Sequence, residues 1–199
     1  MTIALANYFI MSTIMQATED FMEYYEKTID RKPVFKGNII DVEVLTVELP
    51  NGRIATRDIV RHGGAAVIVP VTDKGEVILV RQYRKPYDKV FIEIPAGKLE
   101  KGEDPKICAE RELKEETGYT AGKLEKILTL SPAPAYTDEV LHVYLATELT
   151  KGDADPDEDE FITAEVYPME EALKMIKDGV ITDAKTIAGL LFAARLLNK

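Results

Sequence analysis

The stretch Gly97–Tyr119 reads GKLEKGEDPKICAERELKEETGY, and its spacing decides how the rest of the chain is read. Glu112, Glu115 and Glu116 stand at i, i+3 and i+4, which on a helix places three carboxylates on one face. Like charges crowded in this way repel each other, so the face needs a counter-ion. A hard divalent metal, which prefers oxygen ligands, is the natural one. The flanking residues bound the helix: Asp104 is a good N-cap, Pro105 suits the first helical position because its missing N–H does no harm there, and Gly118 permits a left-handed exit. The pattern therefore predicts a helix over Pro105–Thr117. Ala109, Leu113 and the Thr117 methyl form a narrow stripe to dock it, and the carboxylate face turns toward a cleft or solvent.

Outward from this helix, the segments alternate in a way that suits an α+β fold. Ahead of it, the run Ala65–Val71 is continuously apolar around one proline and reads as a buried strand. Val77–Tyr83 and Phe91–Ile94 read as further strands, the last leading into Pro95-Ala96-Gly97. Behind it, Lys123–Leu130 and Val140–Ala146 are strand-like, separated by the loop SPAPAYTDE, and Thr163–Tyr167 is a short strand. Helices follow at Met169–Asp178 and Ala184–Leu197, the last capped by Thr182 or Asp183. At the N-terminal end, residues 17–29 are helix-permissive and Lys32-Pro33 breaks toward extended structure. Residues 35–48 and 53–61 read as a hairpin around Pro50-Asn51-Gly52, where Asn-Gly suits a type I′ turn.

Composition narrows the class. A chain of 199 residues, 46% hydrophobic, suits one generous domain or a domain with an appendage. Its net charge of −10 argues against a nucleic-acid backbone or an anionic membrane as partner, though not against a small anionic substrate held by a few arginines and a metal. The single cysteine, Cys108, excludes an internal disulfide framework and fits a reducing, cytoplasmic setting, with inert packing as its role. Residues 3–10, IALANYFI, lack the basic start of a signal peptide and are too short to span a bilayer. Residues 1–10 read as an overlong start or a tail ahead of Met11.

The segment Gly97–Tyr119 resembles the Nudix box, G-x5-E-x7-R-E-U-x-E-E-x-G-U with U a bulky apolar residue. Gly97, Glu103, Arg111, Glu112, Leu113, Glu115, Glu116 and Gly118 fit it, and Tyr119 fills the final U. The resemblance implies an α/β/α sandwich, a mixed β-sheet between helices with an N-terminal β-hairpin extension. The boundaries expected are residues 1–62 for tail, helix and hairpin and 63–199 for the hydrolase domain. It also implies hydrolysis of a nucleoside diphosphate linked to another moiety.

Outer segments resemble the ADP-ribose pyrophosphatase branch. PAPAYTDE at 132–139 is similar to that branch's loop with a diagnostic proline, here Pro134, although Ala135 stands where glycine is more usual. Residues 156–172 are similar to its acidic loop, and RQYR and EIPAGK at 81–98 to its substrate-binding strands. In that branch the N-terminal extension swaps across a dimer, so a homodimer is expected by analogy.

The resemblance further implies roles. Mg²⁺, with Mn²⁺ as a substitute, would be held by Glu112, Glu116, the Ala96 carbonyl and Glu160, with Glu115 ligating or bridging. Glu158 would be the general base, with Glu139 as second choice. Arg111 would orient a glutamate through an ion pair. Substrate contacts would come from Arg84, Lys98, Pro134, Glu139 and, from the hairpin, Arg57. Glu93 would accept from a ribose hydroxyl or be plain surface. With no tryptophan in the chain, an adenine ring would stack on Tyr8, Phe21, Tyr24, Tyr25 or Phe35. His62 and His142 fall outside the motifs and read as structural. The expected reaction is ADP-ribose to AMP and ribose 5-phosphate. The alternatives are another nucleotide sugar, NADH or a dinucleoside polyphosphate as substrate, or a non-catalytic nucleotide sensor.

Overall fold

A computed structural model describes residues 23–154 and 161–198. The tail expected at 1–10, the start of the helix expected at 17–29, Tyr8, Phe21, Glu158 and Glu160 lie outside the described residues. The chain divides into two compact units at Arg61/His62.

The first unit is a three-stranded antiparallel sheet in the order β1-β2-β3, built from β1 (Lys27–Lys36), β2 (Ile40–Glu48) and β3 (Ile54–His62). The helix expected to run to residue 29 gives way to β1, which pairs with β2 from Lys27↔Glu48 to Lys36↔Asp41. β1 is an edge strand, so Pro33 removes no bond from a central ladder. The β2–β3 turn also differs from the expected type. Gly52 N–H donates to the Leu49 carbonyl at 2.8 Å, which makes Pro50 and Asn51 the central pair. Only Gly52 takes a positive φ, +77°, whereas a type I′ turn needs two. Proline pre-set at the first central position selects the ordinary turn, and glycine closes it.

The second unit holds two sheets. The four-stranded one runs β7-β4-β9-β8 and comprises β4 (Ala65–Pro70), β7 (Ala96–Lys98), β8 (Tyr119–Leu130) and β9 (Leu141–Lys151). It is mixed: β4 and β9 are parallel, and the other pairs are antiparallel. The second sheet, β10-β5-β6, is antiparallel and comprises β5 (Glu76–Arg84), β6 (Lys89–Glu93) and β10 (Ile162–Pro168).

β4 is buried on both faces, which is why its sequence is an unbroken apolar run rather than an alternating one. Ala66 and Ile68 face a core with Cys108, Ala109 and Leu113 of α1 (Pro105–Thr117). Val67 and Val69 face the opposite core, with Met169 and Ala172 of α2 (Met169–Lys177) and Leu190, Ala193 and Ala194 of α3 (Ala184–Leu196). Burying each of the larger side chains here, such as Ile68, Val67, Leu113 or Leu190, stabilises the fold by about 1.5–3 kcal/mol. Gly189 lets α3 lie close to the sheet, since a Cβ there would meet Ile94 Cδ1 at 2.8 Å. The result is an α+β sandwich with α1 on one side of the mixed sheet and α2 and α3 on the other. Among the described residues no helix is long and apolar enough to cross a membrane.

Candidate active site

α1 has the limits its sequence dictates. The Asp104 side chain accepts from Lys106 N–H at 2.8 Å, Pro105 opens the helix, and Gly118 ends it at φ +74°. Its carboxylate face is less open than expected. Glu112 and Glu116 are only 8% and 5% exposed, because β7 runs directly over them. Glu116 accepts from the Ala96 N–H at 3.2 Å. A Cβ at Gly97 would fall 1.8 Å from the Glu112 carboxyl carbon, so the glycine leaves the space that carboxylate fills.

Arg111 gathers the acidic side chains. Its Nη1 donates to Glu112 at 2.7 Å and to Glu115 at 2.9 Å, and its Nε to Glu103 at 3.2 Å. Burial alone would make this guanidinium easier to deprotonate, but the Glu103 hydrogen bond and the Glu112 charge outweigh burial and raise its pKa. Cys108 packs beneath, and burial together with the Glu103 and Glu112 charges pushes its thiol up to about 12. It is packing rather than a nucleophile.

A cleft of about 340 Å³ opens where β7 meets the loop after β8 and the start of α3. Ala96, Gly97 and Lys98 line one side, Pro132 and Glu139 another, and Arg84 and Lys185 a third. From the loop the wall takes Pro132. Pro134 is exposed on a turn in which the N–H groups of Tyr136 and Thr137 both donate to the Ala133 carbonyl at 3.2 Å.

Glu93 is not plain surface: it lines a cavity beside the cleft and is held by two cations. It is 2% exposed, and its two oxygens accept from Arg84 Nε and Nη2 at 2.9 and 2.8 Å. Lys185 donates to it as well. Burial raises the Glu93 pKa, but the Arg84 bonds and the Lys185 charge overcome this and hold it below the ordinary value. Arg84 therefore reaches the cleft as the half-exposed partner of a buried carboxylate, held bidentately. Asp183 caps α3, accepting from Thr186 N–H at 2.9 Å and from Lys185 at 3.0 Å. Thr186 Oγ1 in turn accepts from Ile94 N–H at 3.0 Å, fixing α3 to the β6–β7 corner.

Lys185 and His62 are cleft residues that the sequence reading did not assign. Lys185 carries no signal beyond following a cap, and its partner Glu93 is 92 positions away. His62 lines the cleft 3.6 Å from Glu139, and its Nδ1 accepts from Gly64 N–H at 3.0 Å. His142 instead pairs with Lys126 on the neighbouring strand at 3.0 Å. Arg57 lies in the first unit, paired with Glu26 at 2.5 Å.

Among the described residues no three His, Cys, Asp or Glu side chains are gathered into a ready-made metal site. The donor chemistry nonetheless fits a hard cation. Glu112 and Glu116 are two carboxylate donors on adjacent turns of α1, the oxygen ligands that a hard divalent cation takes.

The Nudix domain family matches residues 61–190, and the N-terminal domain of nucleoside diphosphate sugar hydrolases matches residues 26–60. The chain is similar to an ADP-ribose pyrophosphatase of Bacillus subtilis, 49% identical over 81% of this chain and 88% of that protein. It is also similar to a methanol dehydrogenase activator of Bacillus methanolicus, 43% identical over 85% of this chain and 92% of the relative. In fold it resembles the crystal structure of an ADP compounds hydrolase, with a TM-score of 0.78 at 24% identity, over 87% of this chain and 94% of that one. With the box helix, its glycine and its cationic cleft in place, the chain belongs to the Nudix family and is a Nudix pyrophosphohydrolase.

Proposed function

We infer that this enzyme hydrolyses the diphosphate bond of ADP-ribose, giving AMP and ribose 5-phosphate, with Mg²⁺ as its metal and Mn²⁺ able to substitute. The observation that carries the reading is the placement of the buried Glu112 and Glu116 carboxylates against Gly97 and Ala96 of β7, which line a cleft bearing Arg84, Lys98 and Lys185. A carboxylate-rich floor suits a cation, and a rim of fixed cations suits a diphosphate. The substrate assignment leans on the relative named ADP-ribose pyrophosphatase.

Glu112 and Glu116 would hold the metal, joined by Glu115, by the Ala96 carbonyl and by Glu160 from outside the described residues. When bound, Mg²⁺ supplies Lewis-acid stabilisation of charge on the phosphate oxygens. The protein's own groups do the rest. Arg84, Lys98 and Lys185 bind and orient the diphosphate so that one phosphorus is open to in-line attack. Water forms the new P–O bond as the bridging P–O bond breaks, and the oxygen of that bond leaves on the second phosphate. A carboxylate accepts the proton of the attacking water: Glu158 is assigned this role first, and Glu139, on the cleft wall, second. Arg111 stays off the substrate and fixes Glu112 and Glu115. We assign the two-unit division to an N-terminal extension and a hydrolase domain, and place the working enzyme as a homodimer in the cytoplasm.

Product analysis tests the reading. ADP-ribose, ADP-glucose, NADH and a diadenosine polyphosphate are each incubated with Mg²⁺ and with EDTA, and the products are separated by chromatography. Fast Mg²⁺-dependent release of AMP and ribose 5-phosphate from ADP-ribose is the expected result. Faster turnover of another member would keep the reaction type and discard the substrate. Tight nucleotide binding without turnover would mean a sensor.

A further inference from the structure

Residues 62–65 form a seam between two walls of the cleft. His62 N–H donates to Asp138 Oδ1 at 3.0 Å, and Ala65 N–H to the Val140 carbonyl at 3.0 Å. The chain on both sides of Glu139 is thereby tied to the seam. From the other wall, just past Lys98, Leu99 N–H donates to the Gly64 carbonyl at 3.1 Å. Gly64 is buried at φ +85°, and a Cβ there would meet the Val140 carbonyl oxygen at 2.9 Å. Glycine lets the two segments lie this close, but Gly63-Gly64 is then a joint with little conformational preference of its own. The His62 ring stiffens that joint. Its Nδ1 accepts from Gly64 N–H at 3.0 Å, a buried donor that is costly to leave unmet.

The same bond sets what the ring does to Glu139. With Nδ1 accepting, a neutral imidazole carries its proton on Nε2. Glu139 Oε1 lies 3.6 Å from that Nδ1, beyond hydrogen-bond reach and facing a nitrogen with no proton to give. The His62 side chain, 13% exposed, therefore bounds the carboxylate on one side without tying it, and both groups line the cleft. We propose that His62 is a positioning residue for Glu139: its ring locks the Gly63-Gly64 joint and, through it, the place of that carboxylate on the cleft wall. The assignment rests on the diphosphate-hydrolase reading above, in which Glu139 meets the substrate, and extends it to a residue that acts through its neighbour.

Steady-state kinetics of the full chain with Mg²⁺, on the nucleotide the parent turns over fastest, compare His62→Ala, His62→Asn, Glu139→Gln and the double variant His62→Ala/Glu139→Gln. His62→Ala is expected to lower kcat/KM about 10-fold by displacing the carboxylate. His62→Asn is expected to recover most of that loss, since an asparagine side chain also bonds the backbone two residues on. The double variant should fall no further than Glu139→Gln alone, because His62 then has nothing left to position. Losses that multiply in the double variant, or a His62→Asn as poor as His62→Ala, would overturn the proposal. Heteronuclear NMR of the histidine rings in alkaline buffer reads the contact without turnover, and the chain has only two histidines. His62 is expected as the Nε2–H tautomer. Glu139→Gln is expected to shift its ring resonances and to leave in place those of His142, which pairs with Lys126. A neutral His62 ring carrying its proton on Nδ1, or one that Glu139→Gln does not move, would overturn the proposal. A parent with the expected ring signals that cleaves no diphosphate would leave the contact standing and overturn the functional reading alone.

Discussion

At Gly97 the absence of a side chain is itself the functional feature. Alanine there would place its methyl carbon 1.8 Å from the Glu112 carboxyl. The strain is relieved by moving Glu112, a flexible side chain, rather than the backbone. Gly97→Ala is therefore expected to keep most of the stability and to lower kcat/KM by about 100-fold, the cost of displacing a catalytic group by about 1 Å; steady-state kinetics beside a thermal melt check both halves. Cys108 gives the opposite expectation. Its buried thiol is pushed up to about 12, so the native protein is expected to resist iodoacetamide at pH 8 and to be alkylated only when unfolded, as read by intact mass. Much of this scale was legible in the sequence. The i, i+3, i+4 carboxylates, the Asp104 cap and the Gly118 exit are local patterns, and local patterns survive folding. The Glu93–Lys185 contact was not legible, because it joins a strand end to a helix start 92 positions later and depends on packing that no window of sequence contains.

Packing rather than propensity holds the elements. α1 carries five charged residues among its last seven, RELKEET, and stays helical because Cys108, Ala109 and Leu113 dock on β4. Leu113→Ala is accordingly expected to cost about 2–5 kcal/mol, against about 1 kcal/mol for Asp104→Ala, which removes only the cap. Urea denaturation midpoints of the two variants rank the effects, and a larger loss from the cap would contradict the account. The same competition explains which elements the sequence reveals. β4 was plain because a strand buried on both faces must be apolar throughout. β1 was hidden because KTIDRKPVFK is polar and mostly exposed, and its strand state comes from pairing with β2. β8 and β9 run past their apolar stretches for a similar reason: Tyr119↔Lys151 and Thr120↔Thr150 are ladder partners that continue the pairing with little burial.

For the whole molecule, the mixed sheet separates two chemistries, with the carboxylate helix on one side and the C-terminal helices, which bring Lys185 to the cleft, on the other. Glu93 joins the second sheet to α3 by pairing with Arg84 on β5 and Lys185 on α3. Its pKa in the folded protein lies below the ordinary 4.5. Its contribution to stability is thus fully present above that value and is lost as pH falls through the depressed one. Glu93→Gln is expected to melt lower at pH 7 and to lose less on acidification than the parent; parallel melting curves down to pH 3 would count against the link. The central claim is that Glu112 and Glu116 hold the metal that makes α1 catalytic. It is tested most directly by Glu116→Gln, an isosteric change that removes one charge, with ADP-ribose turnover and Mn²⁺ binding measured by electron paramagnetic resonance on the same preparation. The account predicts kcat lower by orders of magnitude and weaker Mn²⁺ binding, with the fold intact; turnover and metal affinity equal to the parent's would contradict it.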